Sequence, residues 1–131
     1  MNKMLEGPMV IRSDSRGDGH YLAPRGNRLH AGVDYIVKPG EDILMPFAGK
    51  MIREARPYSD GPLAGCVLQN DIYTLKIFYM VPYLHLIHQD KILAGDLIGT
   101  AQDVRMKWGS DMTPHIHVEI VSMNVDKLWG L

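Results

Sequence analysis

The feature that most constrains this chain is its punctuation. Thirteen glycines and eight prolines are spread over 131 residues and cut the apolar runs into short pieces. A core-facing helix needs a sustained i, i+3, i+4 pattern, and no clear stretch of that kind survives the breaks. What remains reads as strands: Val33 to Val37, Asp42 to Met45, Gly49 to Glu54, Gly65 to Gln69, Tyr73 to Met80, Leu97 to Thr100 and His115 to Val121. Turn-forming stretches such as Lys38-Pro39-Gly40 and Ser59-Asp60-Gly61-Pro62 separate them. A short helix is expected near Asp103 to Trp108 and one loose turn at Asp126 to Leu131. The pattern predicts an all-β chain, mainly an antiparallel sheet or sandwich with few short helices.

The length is that of about one domain. No repeat, low-complexity tract or linker divides it, so residues 12–131 are read as a single domain. Residues 1–11 are read as an N-terminal arm, and Met1 to Met9 as a segment that could dock into a larger assembly. Hydrophobic residues at 46% and charged residues at 22% are ordinary for a soluble globular chain, so no membrane partner is expected. The net charge is −1 and Lys and Arg are scattered singly, which argues against the basic stripe that nucleic acid requires. The single cysteine, Cys66, excludes an internal disulfide framework and fits a reducing compartment; beside Val67 and Leu68 it reads as a packing residue. Glu6, Gly7 and Pro8 interrupt the apolar run that a secretory signal needs, so the chain is expected to stay in the cytoplasm that makes it.

Chemistry concentrates in two places. In Leu29-His30-Ala31-Gly32-Val33-Asp34-Tyr35, a nitrogen and an oxygen ligand four residues apart can meet on one metal, with Gly32 allowing a close turn. In Pro114-His115-Ile116-His117-Val118-Glu119-Ile120, strict alternation puts His115, His117 and Glu119 on one face and Ile116, Val118 and Ile120 on the other, toward the core. Alone, His-x-x-x-Asp is a common chance pattern, and the second segment also fits a half-exposed strand with polar residues outward. Together they supply His, Asp, His and a spare His: three ligands and an open position, the arrangement of a catalytic zinc site.

This pairing of motifs resembles the lysostaphin/LytM-type zinc endopeptidases, whose pattern is His-x-Gly-x-Asp followed by His-x-His-Phe-Glu or a close variant. The likeness covers about Arg12 to Ile120. The opening segment from Asp14 through His30-Ala-Gly-Val-Asp34 is similar to the leukocyte cell-derived chemotaxin branch of that fold. Pro46-Phe-Ala-Gly-Lys-Met-Ile and Ala94-Gly-Asp-Leu-Ile-Gly99 resemble further family turns. The resemblance implies His30, Asp34 and His117 as zinc ligands and His115 as a catalytic residue positioning water or the oxyanion. It also implies hydrolysis of peptide cross-links of bacterial peptidoglycan. Glu119 is expected to orient a ligand or the neighbouring backbone rather than bind metal.

The family carries a further catalytic histidine in a Tyr-x-His-Leu motif, and two alignments compete for it. Tyr83-Leu84-His85-Leu86 matches by motif, which makes His85 the oxyanion-stabilising partner of His115. By spacing, Phe78-Tyr79-Met80-Val81-Pro82 ends the strand as in the chemotaxin branch, with the histidine position filled by another residue. Only 14 residues separate His85 from Gly99, which counts against the first. If the second holds, His85 and His88 lie on a connecting loop and the protein is a zinc-binding module with weak or no turnover. His20 is assigned no role, and Trp108 is read as a groove wall. A wall peptidase lacking an export signal would reach its substrate by lysis or on a delivery machine, so a bacteriophage lysin or tail-associated protein is the expected setting.

Overall fold

Each strand expected from the sequence forms, and all pair antiparallel, in a computed structural model that describes residues 1–130. In chain order the strands are β1 (Ser13–Asp14), β2 (Gly17–Asp18), β3 (Pro24–Arg25), β4 (Arg28–Leu29), β5 (Val33–Ile36), β6 (Asp42–Leu44), β7 (Lys50–Ala55), β8 (Gly65–Gln69), β9 (Tyr73–Phe78), β10 (Met80–Pro82), β11 (Leu97–Ala101) and β12 (His115–Met123). One α-helical turn, α1 (Arg105–Trp108), and two 3-10 turns, Leu84–His88 and Val125–Trp129, complete the described residues. The turn expected at the end begins one residue early, and Leu131 lies outside the described residues.

A five-stranded sheet runs in the order β5-β12-β9-β8-β7, and a three-stranded sheet in the order β10-β11-β6. One core is shared between them. Leu68, Leu75, Ile77 and Ile116 from the large sheet pack with Ile43, Met80 and Ile98 from the small one, all at 1% exposure or less. Cys66 sits in this core as a packing residue, and burial pushes its thiol up to about 12. Two short hairpins, β1-β2 and β3-β4, lie between the N-terminal segment and β5.

Three departures from the sequence reading have physical causes. The expected strand Tyr73 to Met80 divides at Tyr79, whose φ of 72° breaks the extended backbone and turns the chain from the large sheet to the small one. Alternation along β12 holds for Ile116, which is fully buried, and for Val118, which packs against the core. It fails at Ile120, which is 51% exposed and lies beyond the stretch of β12, His115 to Val118, that β5 covers.

The N-terminal segment is not a separate arm. Met4 and Leu5 are buried in the core at 3% and 1% exposure. The Leu44 N–H donates to the Met4 carbonyl at 2.7 Å, and the Asn2 N–H to the Pro46 carbonyl at 2.7 Å. The sequence hid this because Glu6, Gly7 and Pro8 suggest a loop, and a lone Met-Leu pair gives no periodicity. With Leu5 in the core, Leu5→Ala should destabilise the protein by about 2–5 kcal/mol in urea unfolding. A loss below about 0.5 kcal/mol, the range of ordinary surface substitutions, would show that the segment does not pack.

Candidate metal centre

Strand register builds the centre. In the antiparallel pairing of β5 with β12, Asp34 stands directly opposite His117, so both side chains leave the sheet on the same face. His30 comes from the loop before β5. That loop lies so close to β12 that a Cβ at Gly32 would run into the Val118 carbonyl oxygen, which is why glycine stands between His30 and Asp34.

The three ligand atoms face one another. His117 Nδ1 is 3.0 Å from Asp34 Oδ1, His30 Nε2 is 3.2 Å from the same oxygen, and the two nitrogens are 3.1 Å apart. A tetrahedral divalent ion with bonds of roughly 2.0–2.1 Å sets its ligand atoms about 3.3 Å from one another. The triangle is therefore of the right size, and these are the residues among those described that could hold a metal.

Neighbouring groups orient each ring. His30 Nδ1 lies 3.0 Å from the backbone carbonyl of His20 and donates to it, which leaves Nε2 for the metal. His20 thus acts through its backbone while its side chain is exposed. His117 Nε2 lies 3.0 Å from Glu119 Oε1 and donates to it, which leaves Nδ1 for the metal. Glu119 thus orients the ring of a candidate ligand, one of the two roles the sequence left open to it. His115 Nδ1 donates to the Thr113 carbonyl at 2.8 Å and presents Nε2 toward Asp34 Oδ2, 3.6 Å away.

The electrostatics follow from burial. Arg12, His30, Asp34 and His115 are the buried polar or charged side chains among the described residues, and all four belong to this centre. Burial alone would raise the Asp34 pKa, but the His117 hydrogen bond and the attraction of the three rings outweigh it and lower the value. Burial opposes charge on His117, and the hydrogen bonds that Asp34 and Glu119 accept from its ring reverse that and raise its pKa. At His115 burial wins over the pull of Asp34, so its pKa falls and the ring is held toward its neutral form.

The other Asp34 oxygen, Oδ2, accepts from Arg12 Nε at 3.2 Å. Arg12 is fixed in turn by Asp14, at 2.8 Å, and by the Gly17 carbonyl. Asp14 also accepts the backbone N–H groups of Arg16 and Thr113, tying the opening segment to the stretch that leads into β12.

A cavity of about 550 Å³ opens above the centre. Tyr58, Phe78, Tyr79 and Trp108 form aromatic parts of its wall, and Arg12, Arg16, Arg25 and Arg28 also line it. Trp108 is thus a groove wall, as the sequence suggested. His85 is not at this site. It is exposed on the 3-10 turn Leu84–His88, which packs on β7 at the far edge of the large sheet, and its ring stacks with Tyr83. The Tyr83-Leu84-His85-Leu86 motif exists to bury Leu86, not to bring His85 to the metal centre.

The position facing His115 belongs to Tyr79. The two rings meet edge to face at 5.2 Å, and the Tyr79 hydroxyl lies 3.2 Å from that of Tyr58. Burial, the Tyr58 hydroxyl and the nearby Asp34 charge all raise the Tyr79 pKa, so it stays a phenol. The sequence pointed to Phe78-Tyr79-Met80-Val81-Pro82 as the place where the histidine is replaced, without naming the residue. The arginines were missed, because Arg12, Arg16, Arg25 and Arg28 are separated in sequence and gather only through the hairpins.

The fold is that of the lysostaphin catalytic domain. The catalytic domain of lysostaphin from Staphylococcus simulans superposes with a TM-score of 0.55 at 22% identity, covering 86% of this chain and 83% of that one. The chain spans 45% of lysostaphin as a whole. Leukocyte cell-derived chemotaxin-2 from Mus musculus is 32% identical over 108 residues, and the Bos taurus protein 29%; each match covers 81% of this chain and 69% of the relative. No family model matches the sequence. On the mouse likeness, the chain belongs to the leukocyte cell-derived chemotaxin-2 family.

Two outcomes follow from the hydrogen bonds. Glu119→Ala should weaken metal affinity about 10- to 100-fold in a competitive chelator titration, the usual cost of losing a ligand's outer partner. Unchanged affinity would mean that Glu119 does not hold His117. Asp14, with its pKa lowered to about 2 from 3.8, contributes stability that is present above pH 3.8 and lost as the pH falls toward 2. The burial that would raise this pKa is overcome by the Thr113, Arg16 and Arg12 hydrogen bonds. The stability gap between the parent and Asp14→Asn should therefore shrink across that window in acid unfolding; a constant gap would contradict the assignment.

Proposed function

We propose that this protein is a zinc-dependent hydrolase of peptide bonds, with peptidoglycan peptides as its substrate class. The observation that carries the reading is the triangle formed by His30 Nε2, Asp34 Oδ1 and His117 Nδ1, with His115 Nε2 beside it. The likeness to lysostaphin, whose catalytic domain is described as an antimicrobial peptidase, supports the substrate class.

These three atoms would hold zinc, which would supply Lewis acidity, the chemistry that brings the pKa of water toward about 7 and polarises a carbonyl. The chain's own groups provide the rest. His115 is kept neutral by burial and keyed by the Thr113 carbonyl, so Nε2 is free to take a proton from an attacking water. Tyr79, kept as a phenol, can donate a hydrogen bond to an oxyanion from the position across from His115. Arg12 holds the second oxygen of Asp34, so that carboxylate presents Oδ1 in one orientation. Tyr58 and Trp108 meet edge to face at 6.1 Å and give an extended peptide an aromatic wall.

A second reading is a metal-binding module of the same fold without turnover. Tyr79 favours it, because a phenol occupies the position facing His115 where the peptidases carry a second histidine.

The test is peptidoglycan hydrolysis and zinc content, measured together on the parent, His115→Ala and His117→Ala. His117→Ala should lose metal and activity together. His115→Ala should keep one zinc per chain and lose about 10²–10⁴-fold in rate, the worth of a positioned general base. A parent that carries zinc and cuts nothing would reject the hydrolase in favour of the binding module. Full zinc affinity in His117→Ala would reject the ligand set itself.

A further inference from the structure

We propose that Arg25 and Arg28 form an anion subsite in the wall of the groove, and that the peptide bound beside the metal centre carries a carboxylate which they grip. This deepens the peptide-binding reading and rests on it for the nature of the ligand.

The argument begins with the β3-β4 hairpin. Its two-residue turn, Gly26-Asn27, is made possible by Gly26 at φ 64°, and the register sets Arg25 directly opposite Arg28. Directly paired residues of an antiparallel ladder share a face, and like charges placed so repel. Both residues line the metal-centre cavity. The hairpin therefore carries an unfavourable pair of positive charges on the side where a ligand would lie.

The other two arginines of the cavity are already used. Arg12 is bonded to Asp14 and Asp34, and Arg16 to Asp111 at 2.9 Å and to the Trp108 carbonyl at 2.6 Å. Arg25 is held in place by its own bonds: Nη2 donates to the Asp18 carbonyl at 2.7 Å and Nη1 to the Pro24 carbonyl at 3.0 Å. Its Nη2 lies 3.7 Å from Asp34 Oδ2, which puts the guanidinium within reach of a metal-ligand carboxylate. The Arg28 guanidinium makes no hydrogen bond or ion pair among the described residues, while its backbone pairs in the β3-β4 ladder.

With Arg12 paired to Asp14 and Asp34 and Arg16 to Asp111, the guanidinium groups of Arg25 and Arg28 are the ones left to face a ligand in this cavity, where Glu119 is the other carboxylate of the lining. The chain as a whole carries a net charge of −1, so the positive charge is local to the groove. A concave, partly desolvated wall concentrates that field and favours an anionic ligand. A guanidinium fork offers a carboxylate two parallel hydrogen bonds, and a bound carboxylate would also relieve the Arg25-Arg28 repulsion.

The carboxylate can come from the end of a peptide chain or from an acidic side chain, and the experiment separates the two. Calorimetry on zinc-loaded protein would compare tetraalanine with its C-terminal amide. It would also compare a glutamate-containing tetrapeptide amide with its glutamine counterpart. The parent should prefer the carboxylate form of at least one pair by about tenfold, the scale of a charge-assisted hydrogen bond. Arg28→Gln should remove that preference while leaving the affinity for the amide and the zinc content unchanged. The Arg28 side chain is exposed and bonds to nothing among the described residues, and Gln keeps the backbone pairing with β3, so this variant should fold as the parent does.

Three results would overturn the subsite: no carboxylate preference in the parent, a preference that survives in Arg28→Gln because zinc itself holds the carboxylate, or no binding of any of the peptides at millimolar concentration. Peptidoglycan cleavage without a carboxylate preference would remove the subsite and leave hydrolysis standing. A preference without cleavage would do the reverse.

Discussion

The Asp34 carboxylate is the contact on which the rest of this structure depends. It is buried at 3% exposure and meets three imidazoles and two guanidinium groups. A buried carboxylate without partners would be strongly unfavourable. Here one oxygen faces His30 and His117 while the other faces Arg12 and His115, and no buried side-chain nitrogen or oxygen among the described residues lacks a partner. The opening hairpins, the loop before β5 and the start of β12 each contribute a group to this one anion. Removing any of them leaves charge uncompensated in a dry place, so the site and the fold around it are a single construction.

The candidate ligand set was legible in the sequence because its two halves are local patterns. His30 and Asp34 are four residues apart, and His115, Ile116 and His117 alternate along one strand. What joined them could not be read locally: the register that sets Asp34 opposite His117 depends on a strand pairing across 83 residues. The strand segments were legible for the same reason as the motifs, since glycine and proline bound them. The burial of Met4 and Leu5 was not, because it rests on tertiary packing without any repeating pattern.

His85 and Tyr79 show how a motif misleads. Tyr83-Leu84-His85-Leu86 matches a peptidase signature in letters, yet its backbone forms a 3-10 turn that buries Leu86 and exposes His85. The position across from His115 is reached where the chain leaves the large sheet, and that exit requires the positive φ found at Tyr79. Strain of this kind in a non-glycine residue persists only where surrounding contacts hold it, and Tyr79 is held by Tyr58 and the His115 ring. Neither the backbone angle nor the edge contact has a signature in sequence. The arginines were hidden differently, as single residues whose convergence appears only once the hairpins fold.

The pairing of β5 has a consequence in time. One of its edges is met by nearby chain, with the Arg12 N–H donating to the Asp34 carbonyl and the Ile36 N–H to the Val10 carbonyl. The other edge is met by β12, whose His117 follows Asp34 by 83 residues and is therefore made well after it. Contacts so distant in sequence are slow to form, because the loop between them must close before they return any free energy. Until then β5 offers a row of unpaired amides to any neighbouring chain, and a nascent protein of this design is most vulnerable to aggregation during that interval.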